Sequence, residues 1–268
     1  MAAVETTAVS ERIVELREGR MVTRVLVGGD GPPLLYLHGA GGLFWDPFLE
    51  ALATRFTVYA PEHPGSGQSV GLEELRDLWD LVLYYNDLLD ALSLPDVAVV
   101  GHSFGGMVAV ELAANNPNRV RRLVLIAPIG LWRDDAPIAD IAGIAPERLP
   151  ELILADPTGP LAAFLTPPLD DPDVLFQTAM RMASILHFIW PIPDKGLSRR
   201  IHRVQAPTLL VWGRHDGLVP PVYADEFASR LRSAEISLVD DAGHLPQLEQ
   251  GDVVRERVLA FLTTTTPT

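Results

Sequence analysis

Ser103 lies in GHSFGG, Gly101 to Gly106, between the apolar run VAVV and the helix-like run MVAVELAA. A turn from strand to helix this tight crowds the backbone, and glycines at 101, 105 and 106 relieve it by lacking a Cβ. The serine left at the apex projects its hydroxyl out of the sheet, with a helix N-terminus behind it. A serine hydroxyl is a weak nucleophile at neutral pH and needs an imidazole base that is itself oriented by a carboxylate. Two later loops offer those groups. GRHDGLVP places Asp216 beyond the apolar run Thr208 to Trp212, and DDAGHLPQ places His244 beyond Glu235 to Val239. The 28 residues from Asp216 to His244 leave room for one helix and one strand. Both groups therefore reach the same sheet edge as Ser103, just past the carboxyl ends of strands, where open α/β sheets hold their ligands. Asp240, Asp241, Asp134 and Asp135 compete for the role of the acid.

These positions depend on the elements that carry them. Ile13 to Leu16 and Met21 to Val27 read as an antiparallel hairpin around the turn REG. Leu34 to Leu37 reads as a buried strand ending in HGAGG, Asp46 to Thr54 as a helix, and Thr57 to Ala60 as the next strand. After the Pro/Gly-rich PEHPGSGQS, Leu72 to Leu92 has the periodicity of one long amphipathic helix. Val97 to Val100, Met107 to Ala114 and Arg122 to Ala127 continue as strand, helix and strand. This alternation predicts an α/β fold with a mostly parallel central sheet and helices on both faces. The rhythm stops between Ile129 and Arg203, where ten of the chain's 23 prolines gather with Trp132, Phe176, Phe188 and Trp190. Proline at that density predicts a helical insertion of short pieces and no strands. Pro221 to Leu231 and Val253 to Leu262 then read as helices that alternate with the last two strands.

Taken together, HGAGG at 38–42, PEHPGSGQS at 61–69, GHSFGG at 101–106, WGRHDGLVP at 212–220 and AGHLPQLEQ at 242–250 resemble the α/β-hydrolase-fold superfamily, in its capped serine esterase and C–C hydrolase branch. The resemblance runs from about Ile13 to Leu262. It implies a core domain of residues 1–128 and 204–268 and a helical cap, or lid, of residues 129–203. It implies Ser103 as nucleophile, His244 as general base, Asp216 as orienting acid, and an oxyanion hole made by the backbone N–H groups of Ala40 and Phe104. A serine nucleophile sets aside the branches that attack through aspartate.

Three functions are expectations at this point. The first is hydrolysis of carboxylic esters of short to medium acyl chains through an acyl-serine intermediate. The second is C–C hydrolysis of dienoate ring-cleavage products, for which Arg181 on a cap helix would bind the carboxylate. Members of that group carry asparagine before the nucleophile and tryptophan after the histidine, where this chain has His102 and Leu245. The third is a non-catalytic small-ligand receptor of the same fold. Phe44, Trp45, Arg181, His187 and Trp190 are candidate pocket residues. His38 and His102 are expected to support loops, and His63 and His202 to lie on the surface.

Composition narrows the partners. Charge is −14, and no basic run exceeds Arg121-Arg122 and Arg199-Arg200, so nucleic acid and anionic membranes are not expected. The expected partner is a small-molecule ester or a related carbonyl substrate. With no cysteine and no metal-ligand spacing, neither a metal nor any other cofactor is expected. The start, MAAVETTAVSERI, has no basic segment followed by an apolar one, which predicts no secretion signal and a cytoplasmic protein. TTTTPT reads as a frayed tail.

Overall fold

The computed structural model describes residues 8–165 and 171–264, without the side chain of Phe164. Most of the segment read for a secretion signal, and most of the TTTTPT tail, lie outside the described residues. The chain opens with β1 (Val9–Leu16), β2 (Met21–Gly28), β3 (Pro33–Leu37), α1 (Pro47–Ala53) and β4 (Thr57–Pro61). It continues with α2 (Leu78–Ala91), β5 (Val97–His102), α3 (Phe104–Asn115) and β6 (Val120–Ile126). After an insertion carrying α4 (Leu149–Ile153), α5 (Pro160–Leu165) and α6 (Pro172–Ile189), it resumes with β7 (Thr208–Gly213), α7 (Val222–Arg230), β8 (Ala234–Val239), α8 (Pro246–Glu249) and α9 (Gly251–Thr263).

The eight strands form one sheet in the order β1-β2-β4-β3-β5-β6-β7-β8. β1 and β2 pair antiparallel, β2 meets β4 antiparallel, and every pair from β4 to β8 is parallel. β1 is an edge strand whose Ser10, Glu11 and Arg12 are exposed, a charged border that discourages pairing with another chain. β5 is buried at all six positions, as a central parallel strand must be. Its side chains alternate between two cores: Val97 and Val99 pack with α2 and α3, and Ala98 and Val100 pack with α1 and α9. From β3 the chain steps to β4 on one side and, later, to β5 on the other. That reversal opens a crevice at the carboxyl ends of β3 and β5.

Two expectations need correction. The helix expected over Leu72 to Leu92 is interrupted: Leu72–Glu74 forms a single 3-10 turn, Leu75 is extended, and α2 begins only after Asp77. The Asp77 carboxylate accepts from the Asp80 N–H at 3.0 Å and so caps α2. Leu75 is buried in its extended conformation, and its apolar side chain imitates a helical position in the sequence. Within the insertion, the prolines do not chop every helix. α6 runs for 18 residues because Pro172 stands in its first turn, where no intrahelical N–H is lost, and the next proline, Pro191, follows its end.

Candidate active site

Pairing of Leu37 with Gly101 brings the HGAGG loop after β3 level with the serine turn after β5. The approach is close enough to exclude side chains. A Cβ on Gly101 would meet the Gly105 carbonyl at 2.5 Å, and one on Gly105 would meet that of Leu37 at 2.1 Å. Ser103, between them, has φ 54 and ψ −114, a left-handed conformation costly for any residue with a Cβ, on the order of 1–3 kcal/mol. Three backbone hydrogen bonds hold it. Ser103 N–H donates to the Ile126 carbonyl at 2.9 Å, and the Ser103 carbonyl accepts from Met107 at 3.1 Å and Ile129 at 3.3 Å.

The hydroxyl is presented to His244. Ser103 Oγ lies 2.9 Å from His244 Nε2, and His244 Nδ1 lies 2.8 Å from Asp216 Oδ2. With a carboxylate at Nδ1, the neutral imidazole carries its proton there and leaves Nε2 to accept the serine proton. Asp216 is buried, and its other oxygen accepts from the N–H groups of Leu218 at 3.0 Å and Val219 at 2.8 Å. Those bonds satisfy a charge that would otherwise be costly to bury. Three of the competing acids are engaged elsewhere: Asp240 pairs with Arg214, Asp135 with Arg133, and Asp134 accepts from the Trp132 indole, while Asp241 is exposed.

Facing Ser103 are Ala40 and Phe104, which line the same cavity. Neither backbone N–H donates to another acceptor among the described residues. A pair of free donors beside the Ser103 hydroxyl, one of them at the start of α3, can meet an oxyanion. The loop that carries Ala40 is fixed from beneath by two histidines. His38 Nδ1–H donates to the Gly39 carbonyl at 2.7 Å, and His38 Nε2 accepts from the His63 backbone N–H at 3.2 Å. His63 Nε2–H donates to the His38 carbonyl at 2.8 Å, while the Tyr85 hydroxyl serves His63 Nδ1. Burial lowers the pKa of both rings, and His63 falls to about 4. His63 is therefore not a surface residue. PEHPGSGQS folds under the sheet end and takes it inside. His102 supports the site as expected of it, donating from Nε2 to the His244 carbonyl at 2.9 Å. Its pKa is lowered to about 3 by burial.

The cavity over Ser103 has a volume of about 90 Å³. Its floor comes from the sheet end and its roof from the insertion, chiefly Ile138, Ile141, Ile185 and Trp190. Of the candidate pocket residues, only Trp190 borders this space. Trp45 turns away: its ring covers Gly28 and its indole N–H donates to Glu50 at 2.7 Å. Phe44 is partly exposed on the loop before α1. His187 points to the opposite side of α6 and donates from Nε2 to the Leu75 carbonyl at 2.8 Å. Arg181 lies along Gly42, two residues beyond Ala40, and is half-buried with no ion pair among the described residues; burial lowers its pKa.

Several supporting groups escape a reading of residue types. The Ile153 carbonyl at the end of α4 accepts from the His244 N–H at 2.6 Å, and the Leu152 carbonyl accepts from Gly217 at 3.0 Å. Backbone acceptors leave no mark in a sequence. Glu249 bridges the same seam, accepting from Gly243 at 2.8 Å and from Ala155 at 2.7 Å. It does have a signal, since it stands within AGHLPQLEQ, five residues past the histidine. Among the described residues no group of histidine, aspartate and glutamate could hold a metal ion, and no helix is long and apolar enough to cross a membrane.

Comparison with known proteins gives the arrangement a context. The sequence profile of the Alpha/beta hydrolase family matches residues 34–257. A pimeloyl-[acyl-carrier protein] methyl ester esterase of Nitrosomonas europaea is 32% identical over 243 residues, covering 82% of this chain and 91% of that protein. The dihydrolipoyllysine-residue acetyltransferase component of an acetoin cleaving system in Pseudomonas putida is 30% identical over 262 residues, covering 91% of this chain and 67% of that protein. Among solved structures, a bacterial membrane phospholipase A superposes with a TM-score of 0.77 at 25% identity, covering 95% of this chain and 86% of that one.

Proposed function

The chain belongs to the alpha/beta hydrolase family, and we propose that within it the protein is a serine esterase for small, apolar acyl groups. The observation that carries this reading is the continuous relay from Ser103 Oγ through His244 to Asp216, with contacts of 2.9 and 2.8 Å. Ser103 Oγ attacks the ester carbonyl while His244 Nε2 takes the hydroxyl proton. Asp216 keeps the second imidazole proton at Nδ1 and stabilises the imidazolium. The carbonyl oxygen, now an oxyanion, is met by the N–H groups of Ala40 and Phe104. As the C–O bond breaks, His244 passes its proton to the departing alkoxide, leaving an acyl-serine. A water then repeats the sequence: His244 removes its proton, hydroxide adds to the acyl carbon, and Ser103 leaves protonated with release of the acid. Residues 129–203 act as the cap, and residues 1–128 and 204–268 as the core.

The test is a fluorophosphonate probe read by mass spectrometry. Ser103 should carry the adduct, and Ser103→Ala should lose both labelling and turnover of 4-nitrophenyl butyrate, a loss on the order of 10⁴-fold or more. An adduct on another serine, or undiminished turnover in the variant, overturns the assignment.

Arg181 favours a second reading, C–C hydrolysis of a dienoate, because a half-buried guanidinium near the oxyanion loop, with no ion pair among the described residues, suits a substrate carboxylate. Comparative rates on 4-nitrophenyl butyrate and on a dienoate diketone discriminate the two. A faster rate on the diketone would replace ester hydrolysis as the assigned reaction.

A further inference from the structure

A second cavity, of about 300 Å³, lies on the far side of α6 from Ser103. The reaction proposed above makes no use of it. Trp79, Phe188 and Trp190 give it aromatic walls, and charged residues from the segment before α2, from α3 and from the end of the insertion line the rest. Most of that charge is matched. Arg200 grips the buried Glu111 carboxylate, with Nε to Oε2 at 2.9 Å. Arg76 pairs with Asp80 at 3.1 Å, and Asp77 is occupied as the cap of α2. His187 is bound to the Leu75 carbonyl.

Lys195 is left over. Its ammonium donates to the Trp190 carbonyl at 2.6 Å and makes no ion pair among the described residues. Two of its three N–H donors remain for a ligand. The cavity is thus a half-apolar space lined by three cations, Arg76, Lys195 and Arg200, against two carboxylates, Asp77 and Glu111, in a chain whose net charge is −14. A single opposite charge on a ligand would complement that excess of one cation.

We infer that this cavity is a binding site for a small organic carboxylate with an apolar or aromatic body, its carboxylate taken by Lys195 and its body by Trp79, Phe188 and Trp190. A net excess of one cation in the lining suits a monoanion, which favours a carboxylate over a phosphate monoester, dianionic for much of its population at neutral pH. Burial lowers the pKa of Lys195, and the neighbouring Asp194 carboxylate opposes that shift. The site also has a route to Ser103. Trp190 borders both cavities, and Phe188 stacks on Phe104 with centroids 6.1 Å apart. Phe104 is the residue after the nucleophile, so an occupant resting on Phe188 and Trp190 presses on one wall of the reaction cavity. Carboxylates are also the class of acid that ester hydrolysis releases. Binding itself does not depend on the esterase reading.

Isothermal calorimetry with 3-phenylpropionate tests the site. The wild-type protein should bind one equivalent saturably. Lys195→Met should weaken binding about tenfold or more, the worth of a charge-assisted hydrogen bond. Lys195→Arg should restore most of the affinity, and 3-phenylpropionamide should bind at least tenfold more weakly than the acid. Ala139→Phe, which fills the Ser103 cavity instead, should leave the affinity within about twofold. With no carboxylate present, Lys195→Met should turn over 4-nitrophenyl butyrate at the wild-type rate, which separates failure of this site from failure of the esterase reading. Absence of saturable binding, equal affinity in Lys195→Met, equal affinity for the amide, or loss of binding in Ala139→Phe would each overturn the inference.

Discussion

The loops at the sheet end and the insertion that covers them are built on different terms. Asp216, His244 and Ser103 are buried, and each makes several hydrogen bonds: Asp216 with Leu218 and Val219, Ser103 with Ile126, Met107 and Ile129, and His244 with Asp216, Ser103 and, from the insertion, the Ile153 carbonyl. α6, the longest helix of the insertion, buries only Ser184, Ile185 and Phe188 of its 18 residues. Its contribution to the reaction cavity is apolar surface: Ile185, Leu186 and Ile189 offer no proton donors or acceptors in their side chains. Under the proposed reading, chemistry falls to the densely hydrogen-bonded region, where a displacement of an ångström would be felt in the rate. Substrate selection is assigned to the lightly packed one, where a change of shape costs little stability. Substitutions at the sheet end should therefore change kcat by orders of magnitude, and those in the insertion should change preference by small factors.

Asp216 gives the largest expected effect of this contrast. Asp216→Asn keeps the size of the side chain but reverses the hydrogen bond that sets the His244 tautomer. kcat on 4-nitrophenyl acetate should fall about 10³- to 10⁴-fold. Asp240→Asn and Asp134→Asn, whose carboxylates serve Arg214 and Trp132, should stay within about twofold of wild type. Were one of those two the damaging change, the acid would have been placed in the wrong loop.

Second in size is the cost of housing neutral histidines at the sheet end. His63 is held at a pKa of about 4 in the folded protein, against 6.5 for a free imidazole, because burial penalises its charged form. The unfolded chain therefore takes up a proton as pH falls below about 6.5, whereas the folded protein resists it down to about 4. Stability is accordingly full above that window and declines through it as pH falls, by on the order of 3 kcal/mol for this one group. Urea unfolding from pH 7 to pH 4 should show the decline, and His63→Gln, though less stable at pH 7, should show a slope shallower by about one proton. Parallel slopes in the two proteins would mean that His63 is not the group responsible.

His63 also marks where the sequence stops being informative. Ser103, Asp216 and His244 were legible because each follows a run of apolar residues that could only be a strand, and the strand ends converge. The parallel sheet was legible for the same reason, through alternating runs such as VAVV and VLI. Surroundings are harder to read. A histidine in a Pro/Gly-rich loop gives no local sign of whether the loop folds inward, and only Tyr85 and the His38 carbonyl, both distant in sequence, bring His63 inside. Leu75 misled in the opposite way, as an apolar residue at helical spacing that the fold uses in an extended connection. For the insertion, proline content described the ends of α6 and not its length. Pocket aromatics were the least legible, since Trp45 and Trp190 differ only in which backbone surface their rings meet.

A smaller effect is expected at the seam between the two regions. Glu249 ties the loop of His244 to the second residue past α4 through Gly243 and Ala155. Glu249→Gln retains the shape but weakens both charge-assisted bonds and turns one acceptor into a donor. kcat should fall about tenfold, corresponding to loss of a bond to a charged group, with KM little changed. A rise in KM at constant kcat would show that Glu249 acts on the roof and not on the base.

The smallest expected effect belongs to Trp190, and it bears most directly on what the insertion does. Trp190 follows the last residue of α6, is 57% exposed, and presents its ring to the cavity above Ser103. A ring held by so few neighbours limits the length of an acyl chain without carrying the fold. Trp190→Ala should raise kcat/KM for hexanoyl and octanoyl esters of 4-nitrophenol severalfold relative to acetyl and butyryl esters, with the thermal midpoint lowered by only a few degrees. Trp45→Ala is the matched control, because that ring covers Gly28 and its indole N–H serves Glu50. It should lower stability and leave the chain-length profile as it was. Opposite responses in the two variants would locate selection in the insertion and structural support at the sheet end. An unchanged profile in Trp190→Ala would instead mean that Ile138, Ile141 and Ile185 set the limit, and that the open end of the cavity lies on the Trp190 side.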